Sequence, residues 1–327
     1  MAVFEFLMIA KESALGTVIG TPVLGTDKFY LRLTDGNSFS MQAVPQYVDI
    51  PYGGGEAITV ESLSEYTDCK GTLTTKLYPS QAHLLFDWAQ NRINAGQTSP
   101  WTTTEPPGDL ASMSVYHAYQ RSNGTMKLTR YAGTKVTRWQ IAASATDPVF
   151  KLTLDLQAVK EVGNPIDSSS DPDPITEFPA PADTDLPSGP YLFRHSSGGL
   201  LLGSSSGTVR TQYDDFSLDV TNTMDARPFE SQFIQMIAFR GRASMLNATL
   251  RLKATPDDLT SFLSGTAQRA QLTLTNGTTT TVIDYKSSNK IRQLTRDLPL
   301  DRAFMYKLQM KNVRDASAGT DISVTVT

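Results

Sequence analysis

Residues 39–79 read FSMQAVPQYVDIPYGGGEAITVESLSEYTDCKGTLTTKLYP, and residues 216–256 read FSLDVTNTMDARPFESQFIQMIAFRGRASMLNATLRLKATP. The two stretches lie over each other without a gap, 177 residues apart throughout. Phe39, Ser40 and Met41 fall on Phe216, Ser217 and Leu218; Pro51 falls on Pro228, and Thr72-Leu73 on Thr249-Leu250. Farther along, Asn123-Gly124-Thr125 matches Asn276-Gly277-Thr278, and Lys151-Leu152 matches Lys307-Leu308. The shorter offset there means that the first copy carries roughly two dozen extra residues, which Pro100, Pro106 and Pro107 place between Asn94 and Ser112. Landmarks recurring in one order predict one fold used twice.

The local patterns agree between the copies. Leu73, Thr75 and Leu77 share one face of a strand, as do Leu250, Leu252 and Ala254. A helix follows each. In the first, Ala82, Leu85, Phe86, Ala89 and Ile93 recur at helical spacing. In the second, Thr255 caps, Pro256, Asp257 and Asp258 suit the first turn, Leu259, Phe262 and Leu263 form the stripe, and Gly265 ends it. Asn-Gly pairs mark hairpins within Tyr116–Thr129 and Gln271–Val282. Phe150, Leu152, Leu154 and Leu156 alternate with polar residues, as do Tyr306, Leu308 and Met310, and Ser323–Thr327 reads as an edge strand. The expected fold is mainly β, with two tandem β-sandwich or barrel domains, each with one flanking helix. Residues 1–162 and 191–327 form the domains, and a Pro/Asp-rich linker, 163–190, joins them.

Composition narrows the function. Half of a 327-residue chain is ample for a core, and 39% hydrophobic with 19% charged residues suits a soluble β protein. Residues 1–160 hold 13 basic and 14 acidic side chains, 161–190 hold none and 7, and 191–327 hold 16 and 12. The acidity therefore sits in the linker, and neither half has the basic stripe of a protein that grips nucleic acid. Cys69 is the single cysteine, which excludes an internal disulfide. Met1 to Ile9 is apolar, too short to span a bilayer and interrupted by Glu5, so it reads as an ordered arm.

Reactive constellations are missing from the pattern. His83, His117 and His195 stand at no ligand spacing from one another or from Cys69. Gly203–Gly207 spells Gly-x-Ser-x-Gly, but its flanks read as a hairpin rather than the strand and helix of a nucleophile elbow. Gly53-Gly54-Gly55 lacks the spacing of a phosphate loop, and Asp171-Pro172-Asp173 lacks the Gly and Glu of a calcium loop. No catalytic, cofactor or metal site is assigned. A tandem carbohydrate-binding or adhesin module is the rival reading, with Trp88, Trp101 and Trp139 as stacking platforms. Trp88 falls in the helical run and Trp139 in a strand, which leaves Trp101 in a loop.

The chain resembles the tail tube protein of long-tailed bacteriophages, in the version where the tube domain is duplicated. The resemblance rests on Lys11-Glu12-Ser13 with Gly16-Thr17, the extended segment and loop before the Thr72–Leu77 strand, the helix after Pro79, and the recurrence of the series from Phe216. It implies a virion structural protein, not an enzyme, assembled in the host cytoplasm. It implies rings with six domain positions, hence three copies of a two-domain chain with pseudo-sixfold symmetry, stacked head to tail. The implied partners are the chain itself, a tape-measure protein and double-stranded DNA in the lumen, and tail terminator and tail-tip proteins, with no membrane and no cofactor. The expected contacts are Phe4 and Phe6 in the arm; Phe39, Met41, Tyr47, Gly53, Gly54 and Gly55; and Phe216, Leu218, Met224 and Phe229. A lumen that lets DNA slide is expected to be lined by polar and acidic residues.

Overall fold

The computed structural model describes residues 5–20, 22–33, 36–51, 59–90, 101–104, 111–120, 126–163, 181–195, 200–203, 208–210, 213–228, 233–251, 257–297, 305–311 and 322–327. The first half holds β1 (Glu5–Ala14), β2 (Thr17–Val18), β3 (Lys28–Arg32), β4 (Ser38–Pro51), β5 (Thr59–Lys76), α1 (Ala82–Ala89), β6 (Trp101–Thr104), β7 (Met113–Gln120), β8 (Met126–Ser144), β9 (Lys151–Ala158) and β10 (Lys160–Gly163). The second holds β11 (Leu200–Gly203), β12 (Thr208–Arg210), β13 (Tyr213–Arg227), β14 (Met236–Arg251), α2 (Asp257–Ser264), β15 (Gln268–Asn276), β16 (Thr279–Asp297), β17 (Met305–Lys311) and β18 (Ile322–Val326).

One long antiparallel sheet runs through the molecule in the order β4-β5-β9-β8-β13-β14-β17-β16. A second sheet, β3-β1-β7-β8-β10, belongs to the first half. A third, β12-β11-β15-β16-β18-β6, belongs to the second half except for its last strand. β8 and β16 pass from one sheet into another, and each carries a bulge after the crossing, between Val136 and Arg138 and between Ile291 and Gln293. A bulge bends a strand and increases its twist, which turns the corner. Gly133 stands at the β8 corner with φ +64, where a Cβ would meet Val159 Cγ2 at 2.5 Å. Only glycine combines that backbone with that approach.

The strand faces follow from alternation. Leu152, Leu154 and Leu156 of β9 are buried, while Lys151, Thr153 and Asp155 look outward. The core is continuous from Leu7, Leu73, Trp88 and Trp139 in the first half to Leu218, Leu246, Leu272 and Val324 in the second. Each such aliphatic side chain contributes about 1.5–3 kcal/mol by leaving water.

Several expectations change. Residues 5–9 are not an arm: Glu5–Ala14 is a strand between β3 and β7, because Phe6, Leu7 and Ile9 alternate between two buried layers. The turn that links β1 to β2 carries Gly16 at φ +81. Lys11 and Glu12 are buried in β1. The Glu12 carboxylate accepts from Ser112 Oγ at 2.5 Å, Ser114 Oγ at 2.6 Å, Gly133 N–H at 2.9 Å and Gly16 N–H at 2.8 Å, which accounts for that opening motif. Trp101 begins strand β6 rather than a loop, and β6 pairs with β18, so the C-terminal strand is not an edge. The end of the linker packs Leu186 onto the cluster of Phe6, Met8, Tyr30 and Tyr116. The Asn123-Gly124 turn, Leu252, Ala254 and Thr255 lie outside the described residues.

Candidate assembly interface

The two halves meet along a strand seam. β13 pairs with β8 from Asp215 opposite Ser144 to Thr221 opposite Arg138. On the inner side of the seam Leu218 faces Ile141 and Val220 faces Trp139, and all four are buried. On the outer side the Arg138 guanidinium grips both carboxylate oxygens of Asp219, with Nε at 3.0 Å from each, and reaches Asp155 at 3.6 Å. A strand pair is held by its ladder and its cross-strand contacts, and this one has both.

Polar clamps lock the seam beyond the ladder. Asn222 Nδ2 donates to Val136 O at 2.9 Å, Arg242 Nε donates to Asn222 Oδ1 at 2.8 Å, and Arg242 Nη1 donates to Gln90 Oε1 at 2.6 Å. Lys135 Nζ donates to Ile237 O at 2.9 Å. Tyr191 ties the chain crossing to both halves. Its N–H donates to Leu77 O, its carbonyl accepts from Phe150 N–H, and its hydroxyl lies 3.0 Å from Thr281 Oγ1.

Both ends of the long sheet are edges. Among the described residues β4 pairs only with β5, and the Lys290–Asp297 part of β16 pairs only with β17. The β4 core face is correspondingly incomplete. Phe39, Met41 and Ala43 are only partly covered, whereas Phe216, Leu218 and Val220 of β13 are buried. Leu294 at the β16 edge is likewise only partly covered. An edge with half-covered apolar side chains is a template for a further strand.

The contacts expected from sequence divide accordingly. Phe6, Phe216 and Leu218 are core residues of the chain itself. Phe39 and Met41 lie on the β4 edge, with Phe39 against His117 and Tyr131. Met224 is partly covered near the end of β13, and the backbone of Tyr47 belongs to β4. Phe4, Gly53, Gly54, Gly55 and Phe229 lie outside the described residues. Sequence reasoning missed Leu294 and the continuation of β16 beyond the hairpin at Gln271–Val282. The signal available was the match of Asn123-Gly124 with Asn276-Gly277 in the sequence, each of which precedes a long strand, β8 and β16. Trp88 and Trp139 are buried and offer no ring face to a sugar.

The outward face of the long sheet is polar. It presents Ser40, Thr72, Thr153, Gln140, Ser217, Asn247, Gln309 and Thr295, with Lys70, Arg138, Lys151 and Lys307 beside Asp155, Asp215 and Asp219. Several of these charges are paired, Lys70 with Asp68 and Lys151 with Asp147 among them. The face is mixed in sign, not acidic. A shallow cavity of about 290 Å³ lies on it, lined by Asp215, Asn247, Gln293, Thr295, Lys307 and Gln309.

A family model described as phage tail tube protein matches residues 5–327. Among solved structures, the chain is similar to one in the virion of a native gene transfer agent particle, with 12% identity and a TM-score of 0.28 over 36% of this chain and 92% of that one. It is also similar to one in the tail of an empty gene transfer agent particle with C6 symmetry, with 12% identity and a TM-score of 0.29 over the same shares. No curated protein matches the chain.

Proposed function

This chain belongs to the phage tail tube protein family, and from that premise we propose that three copies close into a ring by repeating, between chains, the seam that each chain already contains. It is a structural component of the virion tail whose copies assemble into the tube, and it is not an enzyme. The reading treats the chain as a duplicated tube domain, with β4-β5-β9-β8 and β13-β14-β17-β16 as the two copies, in domains 1–162 and 191–327 joined by the 163–190 linker.

The observation that carries the reading is the relation between seam and edges. The internal seam joins β8 to β13; among the described residues the free edges of the long sheet are β16 and β4, which hold the same places in the two strand orders as β8 and β13. Transferring the internal register sets Met41 opposite Leu294, Ser40 opposite Thr295 and Gln42 opposite Gln293 of the next chain. The partly covered Met41 and Leu294 then meet as the buried Leu218 and Ile141 do. A head-to-tail contact of this kind either closes or grows without limit, and closure removes both edges. Six domain positions require three chains. A barrel of their long sheets, at the usual strand spacing and tilt, measures roughly 40–50 Å across its backbone, which admits a DNA duplex.

The outward face of the long sheet then lines the channel. Its hydroxyls, amides and paired charges give DNA few unpaired cations to hold, which suits passage. In this reading the tape-measure protein fills the same lumen before DNA does, and terminator and tip proteins meet the ends of the stack. Electron microscopy of the purified chain with sedimentation analysis tests it. Threefold rings with three chains per layer support the reading; rings with six chains per layer overturn it.

A further inference from the structure

We infer that α2 forms a second contact between neighbouring chains, seating on the β10 edge of the next copy; this rests on the ring reading above. The two helices occupy different surroundings. α1 is buried along almost its whole length, because it lies against its own β8 and also against β6 and β18 of the other half's sheet. α2 lies against β16 of its own half, and Leu263 is 74% exposed.

The strands on the receiving side differ in the matching way. β18 pairs with β16 and β10 pairs with β8, with Val324 opposite Ile283 and Val162 opposite Arg130. Val324 is 1% exposed, covered where α1 and β6 approach. Val162 is only partly covered, and among the described residues β10 pairs with β8 alone. Each chain thus carries one completed helix-on-strand contact, α1 with β18, and the two unfinished parts of another.

Geometry connects the parts. Within the chain, the half that offers β8 to the seam also offers α1 to β18. A chain that offers β16 to the next copy's β4 therefore brings α2 toward that copy's β10. The connection from α1 carries β6, which pairs with β18; the connection from α2 to β15 is only Gly265-Thr266-Ala267 and carries no strand. The contact between chains is consequently made by the helix without a covering strand, and the outside of the ring repeats with threefold rather than sixfold symmetry.

The test is Leu263→Asp in the full chain, with Val162→Asp as a second variant. Both should melt like the wild type at concentrations where all are monomeric, and both should raise the concentration needed for ring formation at least tenfold. Leu263→Asp rings that form as readily as wild-type rings overturn the contact. So do rings that form normally but fail to stack, since the contact would then be axial. A wild-type chain that forms no threefold ring overturns instead the reading on which the contact rests.

Discussion

Leu218 stands opposite Ile141 across the seam between the two halves of the chain, and neither side chain is exposed. Met41 and Leu294, which the proposed duplication matches to them, lie at the outer edges of the same sheet, and both are only partly covered. In the proposed ring, that difference separates the contacts that fold the chain from those that assemble it.

Truncating the two kinds of position should have different readouts. Leu218→Ala removes a buried aliphatic group from a packed seam and should lower folding stability by about 2–4 kcal/mol in denaturant titration. Met41→Ala should cost the monomer less than half as much, and its main effect should be a higher concentration threshold for assembly.

Glu12 predicts a stability loss of another origin. Its carboxylate is buried and accepts four hydrogen bonds that fix the β1–β2 turn, Ser112, Ser114 and the Gly133 corner. Glu12→Ala leaves those donors without their acceptor and should cost about 2–4 kcal/mol. Glu12→Asp, too short to reach all four, should recover only part of that. Thermal and urea unfolding of the monomer measure both.

Cys69 supplies a probe of folding. Burial pushes its thiol up to about 11, so little thiolate exists at neutral pH in the folded chain. A thiol reagent at pH 8 should react with the native protein at least a hundredfold more slowly than with the unfolded one. The sign of the linkage follows from the raised value. The neutral thiol is favoured by the fold, so this contribution to stability is intact below about pH 9, the ordinary thiol value, and declines as pH rises to about 11.

Strand β6 predicts an effect between the halves. It covers the outer edge of β18 through Trp101 to Thr104 opposite Val326 to Ser323. Replacing 101–104 with Gly-Ser residues should uncover that edge, lower the melting temperature of the second half's sheet and promote aggregation of the monomer. Hydrogen exchange at Ser323–Val326 should rise while exchange in β1 stays unchanged.

Much of this architecture was legible in the sequence. Hydrophobic alternation located β9 and β17, and Asn276-Gly277 located the β15–β16 hairpin, where Gly277 has φ +63. The equivalence of Phe39 with Phe216 located both β4 and β13. Partnership across the seam was not legible, because alternation says which face of a strand is buried but not which strand lies beside it. Glu12 was likewise opaque. Its donors at Ser112, Ser114 and Gly133 come from segments about a hundred residues away, the two serines brought to the carboxylate by the pairing of β7 with β1 and Gly133 by the corner of β8. The outward face of the long sheet is mixed in sign, because Arg138, Lys151 and Lys307 alternate outward with the hydroxyls.

The most direct test of assembly by a repeated seam is a double substitution, Ser40→Cys with Thr295→Cys, in one chain. The two sites stand at opposite edges of the sheet, so a bond between them forms only between chains, and the buried Cys69 stays silent. Opposed residues of antiparallel strands come within disulfide range. Oxidation of the assembled protein should give covalent dimers and trimers, with the ladder ending at three chains. Assembled tubes that yield no such bond, or a ladder that continues past three, would contradict the account.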